Sequence, residues 1–361
     1  MATTNCVREL IETNTNWISF LKSKNIIVKE YDDYVVLKYN MVNCDFSDPY
    51  VRECRGLIVD LITKEVVCRA FDKFGNYGES YADDIDWNSA VVQEKIDGSI
   101  MKVWFNVRAN KWIISTNNSY NADETYNGYD MCFGAAFREA LTKQTGMEPT
   151  VYFDKFLVKG NTYIFELVSP DNKIVIPYDE TKIYHIGTRN METGKEFDTY
   201  IGIEKPKEYP LNSLEECIKA ASAFKDLDHE GFVVVDKNWN RVKVKSPLYV
   251  AAHHVASNSV FTLKMAVDLV LTGEDGEYLT YFPEHKVEID NIKRIIENET
   301  FSIYKTIESA RLMQKINPLT RKEFALKFKN HKYFSFLIKG VFDNITEPVI
   351  AKNYWKKYFD I

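Results

Sequence analysis

The sequence predicts an α+β fold: antiparallel sheets with flanking helices up to about residue 250, then an all-helical C-terminal domain. Three observations predict it. Short runs of β-branched and aromatic residues alternate with turn residues over the first part of the chain. Beyond Ser246 the apolar spacing changes to a helical one. Charge is also divided: Phe301–Ile361 holds twelve Lys/Arg against five Asp/Glu, a net of +7 in a chain of net −6, so the remainder carries −13. That asymmetry fits either a basic surface for nucleic acid on an acidic body or a solvated helical face.

The domains expected are 1–250 and 251–361. Composition is that of an ordinary globular protein, 45% hydrophobic and 27% charged. No run of eighteen apolar residues occurs, so no membrane span is expected. The N-terminal stretch lacks a basic start followed by an apolar run, so no secretion signal is expected. The six cysteines are scattered without a C-x-x-C pair, which argues against zinc or a disulfide framework and fits a reducing cytosol.

In chain order, Val7–Lys22 has one apolar stripe and reads as a helix, followed by strands near Ile26–Lys29 and Tyr34–Tyr39. Arg55-Gly56 leads into a strand, Leu57–Leu61; this arginine could grip a phosphate or carboxylate bidentately, or make a surface salt bridge. Val66–Arg69 is a strand, and Phe71–Asn76 is a turn carrying Lys73 and Phe74, the ring suited to stacking on a base or to the core. Ala90–Val92 and Ile100–Phe105 are strands flanking Glu94-Lys95-Ile96-Asp97-Gly98-Ser99. In such a turn a neutral lysine amine is a nucleophile, Asp97 can hold a metal-bound water, and Gly98 lets backbone N–H groups approach a phosphate. The other reading is a hairpin with a solvated lysine.

Lys111–Ser115 is a strand ending in a polar loop, and Tyr129–Leu141 a helix. Tyr163–Val168 is a strand with one carboxylate, Glu166, in an apolar run, where it must be paired or serve a metal. Lys173–Pro177 and Lys182–Gly187 continue the sheet. Ser213–Glu216 opens a helix as a capping box. Glu230-Gly231 begins a hairpin of Phe232–Val235 and Arg241–Lys245, whose period of two puts Arg241, Lys243 and Lys245 on one face, repelling unless an anion sits between them or solvent separates them. Helices are expected at Phe261–Leu271, Val287–Gln314, Arg321–Lys329 and Thr346–Phe359, with Gly273–Gly276, Asn317-Pro318 and Glu347-Pro348 as punctuation.

The ordered set Arg55-Gly56, Lys95-x-Asp97-Gly98, Glu166, Glu230-Gly231 and Lys243-x-Lys245 resembles the covalent nucleotidyltransferase superfamily of ligases and mRNA capping enzymes. Within it the chain resembles the RNA ligase 1 family of T-even-type phages. The narrower likeness is carried by Glu53-Cys54-Arg55-Gly56, Lys73-Phe74, the run Phe165–Ile176, and Lys243-Val244-Lys245-Ser246 with Tyr249, over roughly residues 39–250. The resemblance implies a nucleotidyltransferase (ATP-grasp-like ligase) domain that uses ATP and Mg²⁺, with Mn²⁺ as a substitute. Lys95 would attack the α-phosphorus of ATP to give lysyl-AMP, AMP would pass to an RNA 5′-phosphate, and a 3′-OH would then seal the strand.

The same resemblance implies catalytic roles for Lys95, Asp97, Glu166, Glu230, Lys243 and Lys245. It places Tyr39, Arg55, Lys73, Phe74, Glu94, Gly98, Gly231 and Tyr249 at the nucleotide, and it makes Asp97, Glu166 and Glu230 the metal holders, through water. Charge logic agrees with these roles, since in-line displacement at phosphorus needs positioning and neutralisation. The implied partners are RNA ends, above all a broken tRNA, with an end-healing kinase/phosphatase acting upstream and a monomer working in the cytoplasm, the host's if the chain is phage-encoded. One departure stands out: where the family carries a lysine after the nucleophile strand, Ser115–Ser119 has no basic residue. The rival readings are a GTP-dependent capping-type guanylyltransferase and a catalytically inactive RNA-binding relative. The helical rather than β-barrel spacing of the tail opposes the first, and the intact Lys95, Glu166 and Glu230 oppose the second.

Overall fold

The computed structural model describes residues 5–124, 131–172, 174–254, 261–343, 350 and 352–361. The chain divides into two units, Met1–Ala256 and Ser257–Ile361. In the first, helices α1 (Cys6–Thr13) and α2 (Trp17–Ser23) replace the single helix expected over Val7–Lys22. Asn14 leaves the helix in extended backbone, and its Oδ1 accepts the Asn16 amide at 2.8 Å, a local bond that competes with helix continuation.

Strands β1 (Ile26–Tyr31), β2 (Tyr34–Tyr39), β3 (Arg55–Asp60) and β4 (Val66–Cys68) form an antiparallel sheet in that order. Its period of two sorts the side chains. Val35, Leu37, Leu57 and Val59 pack with Val7, Leu10 and Leu21 of the helices, while Val36, Ile58 and Cys68 face Trp104 and Ile113. A short helix α3 (Pro49–Glu53), absent from the sequence reading, is started by Asp48, which caps Tyr50, with Pro49 in the first turn.

The next strands are β5 (Val91–Glu94), β6 (Ser99–Asn106), β7 (Lys111–Thr116), β8 (Asn161–Val168), β9 (Lys182–Asn190), β10 (Glu196–Phe197), β11 (Glu208–Tyr209), β12 (Gly231–Val235) and β13 (Arg241–Lys245). They make two further antiparallel sheets, β10-β9-β8-β6-β7 and β11-β5-β12-β13. Helices α4 (Phe133–Thr145) and α5 (Pro149–Phe156) cover the five-stranded sheet through Phe137, Leu141, Tyr152, Phe153, Phe165 and Leu167. The start expected for α4, residues 129–130, lies outside the described residues. Helix α6 (Leu214–Ser222) covers the other sheet and is capped by Ser213, which accepts the Glu216 amide. The strand expected at 173–177 is not formed over 174–177, and Lys173 lies outside the described residues. The Val175 and Ile176 amides donate instead to Asp97. Helix α7 (Pro247–His254) ends the unit's described elements.

The second unit is helical: α8 (Leu263–Thr272), α9 (Asp275–Tyr281), α10 (Lys286–Ile316), α11 (Arg321–Phe328), α12 (Phe334–Phe342) and α13 (Lys352–Phe359). Ile303, Ile307, Phe324 and Leu337 form its core. Gly273 caps α8 in left-handed backbone as punctuation should, but Gly276 lies inside α9. The expected helix start at Thr346 and the Glu347-Pro348 break lie outside the described residues. Among the described residues no helix is long and apolar enough to cross a membrane.

Candidate active site

The segment between β5 and β6 presents Lys95. Its backbone N–H donates to the Gly231 carbonyl at 2.9 Å, tying the turn to β12. Gly231 has φ +139°, and a Cβ there would strike the Val244 carbonyl, so a side chain is refused at this crossing. Lys95 Nζ lies 2.7 Å from Glu230 Oε2, and Lys245 Nζ lies 3.4 Å from Glu230 Oε1. One deeply buried carboxylate therefore serves two lysines, one from the β5–β6 segment and one from the end of β13.

Both lysines border a cavity of about 250 Å³, and Glu230, outside its lining, meets it through them. Lys95, Glu94, Gly98 and Glu166 line it, as do Arg55, Phe74, Lys243 and Lys245. Apolar walls come from Phe71, Ile100, Ile186 and Val233. Lys243 Nζ stands 5.0 Å from the centre of the Phe74 ring, and the Arg55 guanidinium 5.4 Å from it. Arg55 Nη1 is buried without a hydrogen-bond partner, an orphaned donor that suits an anion. Glu94 Oε1 is 3.3 Å from His229 Nδ1. Among the described residues no hydrogen bond or ion pair engages the Glu166 carboxyl, and burial pushes it up to about 7, Lys95 opposing and Glu230 adding to the rise.

Five residues that the resemblance puts at the site make other contacts in this structure. Asp97 does not line the cavity: Oδ2 accepts the Val175 and Ile176 amides at 2.9 and 2.8 Å, and Oδ1 accepts the Tyr249 hydroxyl at 2.7 Å. Through these three bonds its carboxylate braces the loop. Tyr249 is buried in that bond, away from the cavity lining. Lys73 and Tyr39 also stand apart from the cavity. The Lys73 ammonium is enclosed by rings, 5.0 Å from Phe46, 5.7 Å from Tyr39 and 6.0 Å from Tyr81. Gly98 lines the cavity, but a Cβ there would collide with the Leu167 carbonyl, so the close approach it permits is to β8. Among the described residues no three acidic, histidine or cysteine side chains converge to chelate an ion directly. Glu166 and Glu230 suit a metal held through water, Glu166 because it is an unengaged carboxyl at the cavity wall.

The sequence profile of the RNA ligase family matches residues 53–249. The chain belongs to the RNA ligase family. It is 32% identical over 346 residues to the polynucleotide kinase/RNA ligase assigned in Autographa californica nuclear polyhedrosis virus, covering 89% of this chain and 49% of that protein. The chain thus spans about half the length of that relative. It is 25% identical over 385 residues to the RNA ligase of Rhodothermus phage RM378, covering 87% and 86%. Among solved structures, an archaeal ATP-dependent RNA ligase aligns over 84% of this chain and 82% of its own at TM-score 0.49 and 12% identity.

In this RNA ligase family chain two basic residues at the cavity escaped the sequence reading of the site. Arg241 lines it, stacked 4.1 Å from the Phe71 ring centre and paired with Glu196 at 2.7 Å. Its position two residues before Lys243, on the same strand face, was the signal. Lys102 is fully buried on β6 behind Ile100; a charge inside the apolar run Ile100–Phe105 was its signal. At the loop lacking a basic residue, Lys38 and Lys29 reach Asn118 from the neighbouring sheet.

Proposed function

We propose that this chain is an ATP-dependent RNA ligase that joins 5′-phosphate and 3′-OH RNA ends through a lysyl-AMP and an RNA-adenylate. The observation that carries the reading is Lys95 held 2.7 Å from Glu230 at the edge of a cavity bordered by Arg55, Lys243, Lys245 and Glu166.

The chemistry follows from that geometry. Lys95 Nζ, its proton held toward Glu230 Oε2, forms the N–P bond at the α-phosphorus of ATP as the bond to the bridging oxygen breaks and pyrophosphate leaves. The RNA 5′-phosphate then displaces the lysine to form a phosphoanhydride, and a 3′-OH displaces AMP. Arg55, Lys243 and Lys245 offset phosphate charge, and the walls of Phe74, Ile186 and Val233 are suited to a base. A divalent cation, Mg²⁺ or Mn²⁺, would be held through water by Glu166 and Glu230 and would supply further charge neutralisation.

The second unit is read as the RNA-contacting part, with exposed lysines such as Lys305, Lys315 and Lys322 meeting phosphates. A broken tRNA is the substrate this reading favours, with end-healing supplied separately; the kinase in the name of the baculovirus relative supports that pairing.

The test is incubation with α-labelled ATP and Mg²⁺. A covalent label that disappears in Lys95→Ala supports the ligase. Labelling by GTP in place of ATP points to a capping-type enzyme, and no label at all to an RNA-binding relative.

A further inference from the structure

Lys102 is wholly buried, and its ammonium donates to the carbonyl of Gly56, the residue after Arg55. Along β6 the residues Ile100, Lys102 and Trp104 share a face: Ile100 borders the cavity, and Trp104 packs against the first sheet. Lys102 therefore sits directly behind the cavity wall, beneath the start of β3. Gly56 itself has φ +73°, and a Cβ there would strike the Asn117 backbone, so a side chain is refused at this irregular turn of the chain where β3 begins.

Among the described residues no carboxylate pairs with Lys102, and none pairs with Arg55. Burial, with Arg55 nearby, lowers the Lys102 pKa, and Cys68 opposes this. Lys102 is thus enclosed without a carboxylate partner, while Arg55 beside it is half-buried at the cavity wall, sharing that wall with Glu166 and keeping an orphaned guanidinium nitrogen. A buried amine of this kind is costly unless its hydrogen bond does work for the fold or for a ligand.

We propose that Lys102 is a positioning residue for anion binding: by gripping the Gly56 carbonyl from inside the fold it fixes the turn that points Arg55 at the phosphates of the bound nucleotide. The inference rests on reading the cavity as a nucleotide site.

The test is calorimetric titration of the full chain with inorganic pyrophosphate, comparing wild type, Arg55→Ala, Lys102→Met and the double variant, with circular dichroism melts as a folding check. Each single variant is expected to weaken pyrophosphate about tenfold, and the double variant no further than the weaker-binding single, because both act through one guanidinium. A hundredfold loss in the double variant, or wild-type affinity in Lys102→Met, overturns the proposal. Should Lys102→Met not fold, Lys102→Arg carries the test. It keeps charge and donor, so affinity within threefold of wild type is expected, and a loss equal to that of Arg55→Ala overturns it. Labelling of the wild type with ATP runs in parallel. Absent label with coupled pyrophosphate binding defeats the ligase reading alone, whereas normal label with additive variants defeats the Lys102 proposal alone.

Discussion

The Tyr249 hydroxyl donates to Asp97 Oδ1 at 2.7 Å, joining the start of α7 to the loop that carries Lys95. Both groups are buried. Tyr249→Phe leaves a carboxylate oxygen without its donor and should destabilise the first unit by about 1.5–3 kcal/mol, the range for hydrogen bonds to charged groups, read by urea or thermal unfolding. The Mg²⁺ concentration that supports half-maximal labelling should not move, because Asp97 is occupied by protein donors. A large shift in that concentration would return Asp97 to the metal.

Glu166 makes stability depend on pH. Its folded carboxyl titrates near 7, well above the ordinary range, so between about pH 4.3 and 7 the folded state holds more protons than the unfolded state. The group costs nothing below the lower value, and stability falls as pH rises toward 7. Glu166→Gln should therefore be more stable than wild type at pH 8, by up to about 3 kcal/mol, with no advantage near pH 4. Millimolar Mg²⁺ should offset part of the wild-type cost and none of the variant's. Parallel urea curves at the two pH values check this.

Lys243→Ala removes a cation from the cavity wall while leaving the Phe74 ring in place. Loss of one such charge-stabilising donor typically costs about 10²–10³ in rate, so labelling from α-labelled ATP should slow by at least about a hundredfold with little change in melting temperature. A rate within threefold of wild type would place the phosphates elsewhere.

Charge reversal at the exposed Lys305, Lys315 and Lys322 should leave ATP labelling unchanged. RNA binding should weaken, and the slope of log affinity against log salt should fall by roughly 0.7 for each lost single-strand phosphate contact. An unchanged salt slope would remove the second unit from the RNA path.

Much of the strand framework was legible because period two survives in isolation: Val35 and Leu37 face one side, Val36 the other, and Lys243 lies in line with Lys245. What stayed hidden depends on partners remote in the chain. The donors to Asp97 could not be read locally, since they come from Val175, Ile176 and Tyr249. The rings of Tyr39, Phe46 and Tyr81 around Lys73 were hidden for the same reason. The segment 174–177 has strand composition, but its amides serve Asp97 rather than a ladder. Helices α3 and α5 are too short to show a period and announce themselves only through a capping carboxylate followed by proline, at Asp48-Pro49 and Glu148-Pro149.

The double engagement of Glu230 carries a consequence of its own. Any substituent that converts the Lys95 amine to an uncharged amide strips Oε2 of its cation while Oε1 keeps Lys245. On the proposed mechanism the carboxylate would then keep one ammonium partner and lose the other. Loading the lysine would thus weaken the tie between the turn at Lys95 and the start of the hairpin at Glu230, leaving the backbone bond from Lys95 to Gly231 to hold the crossing.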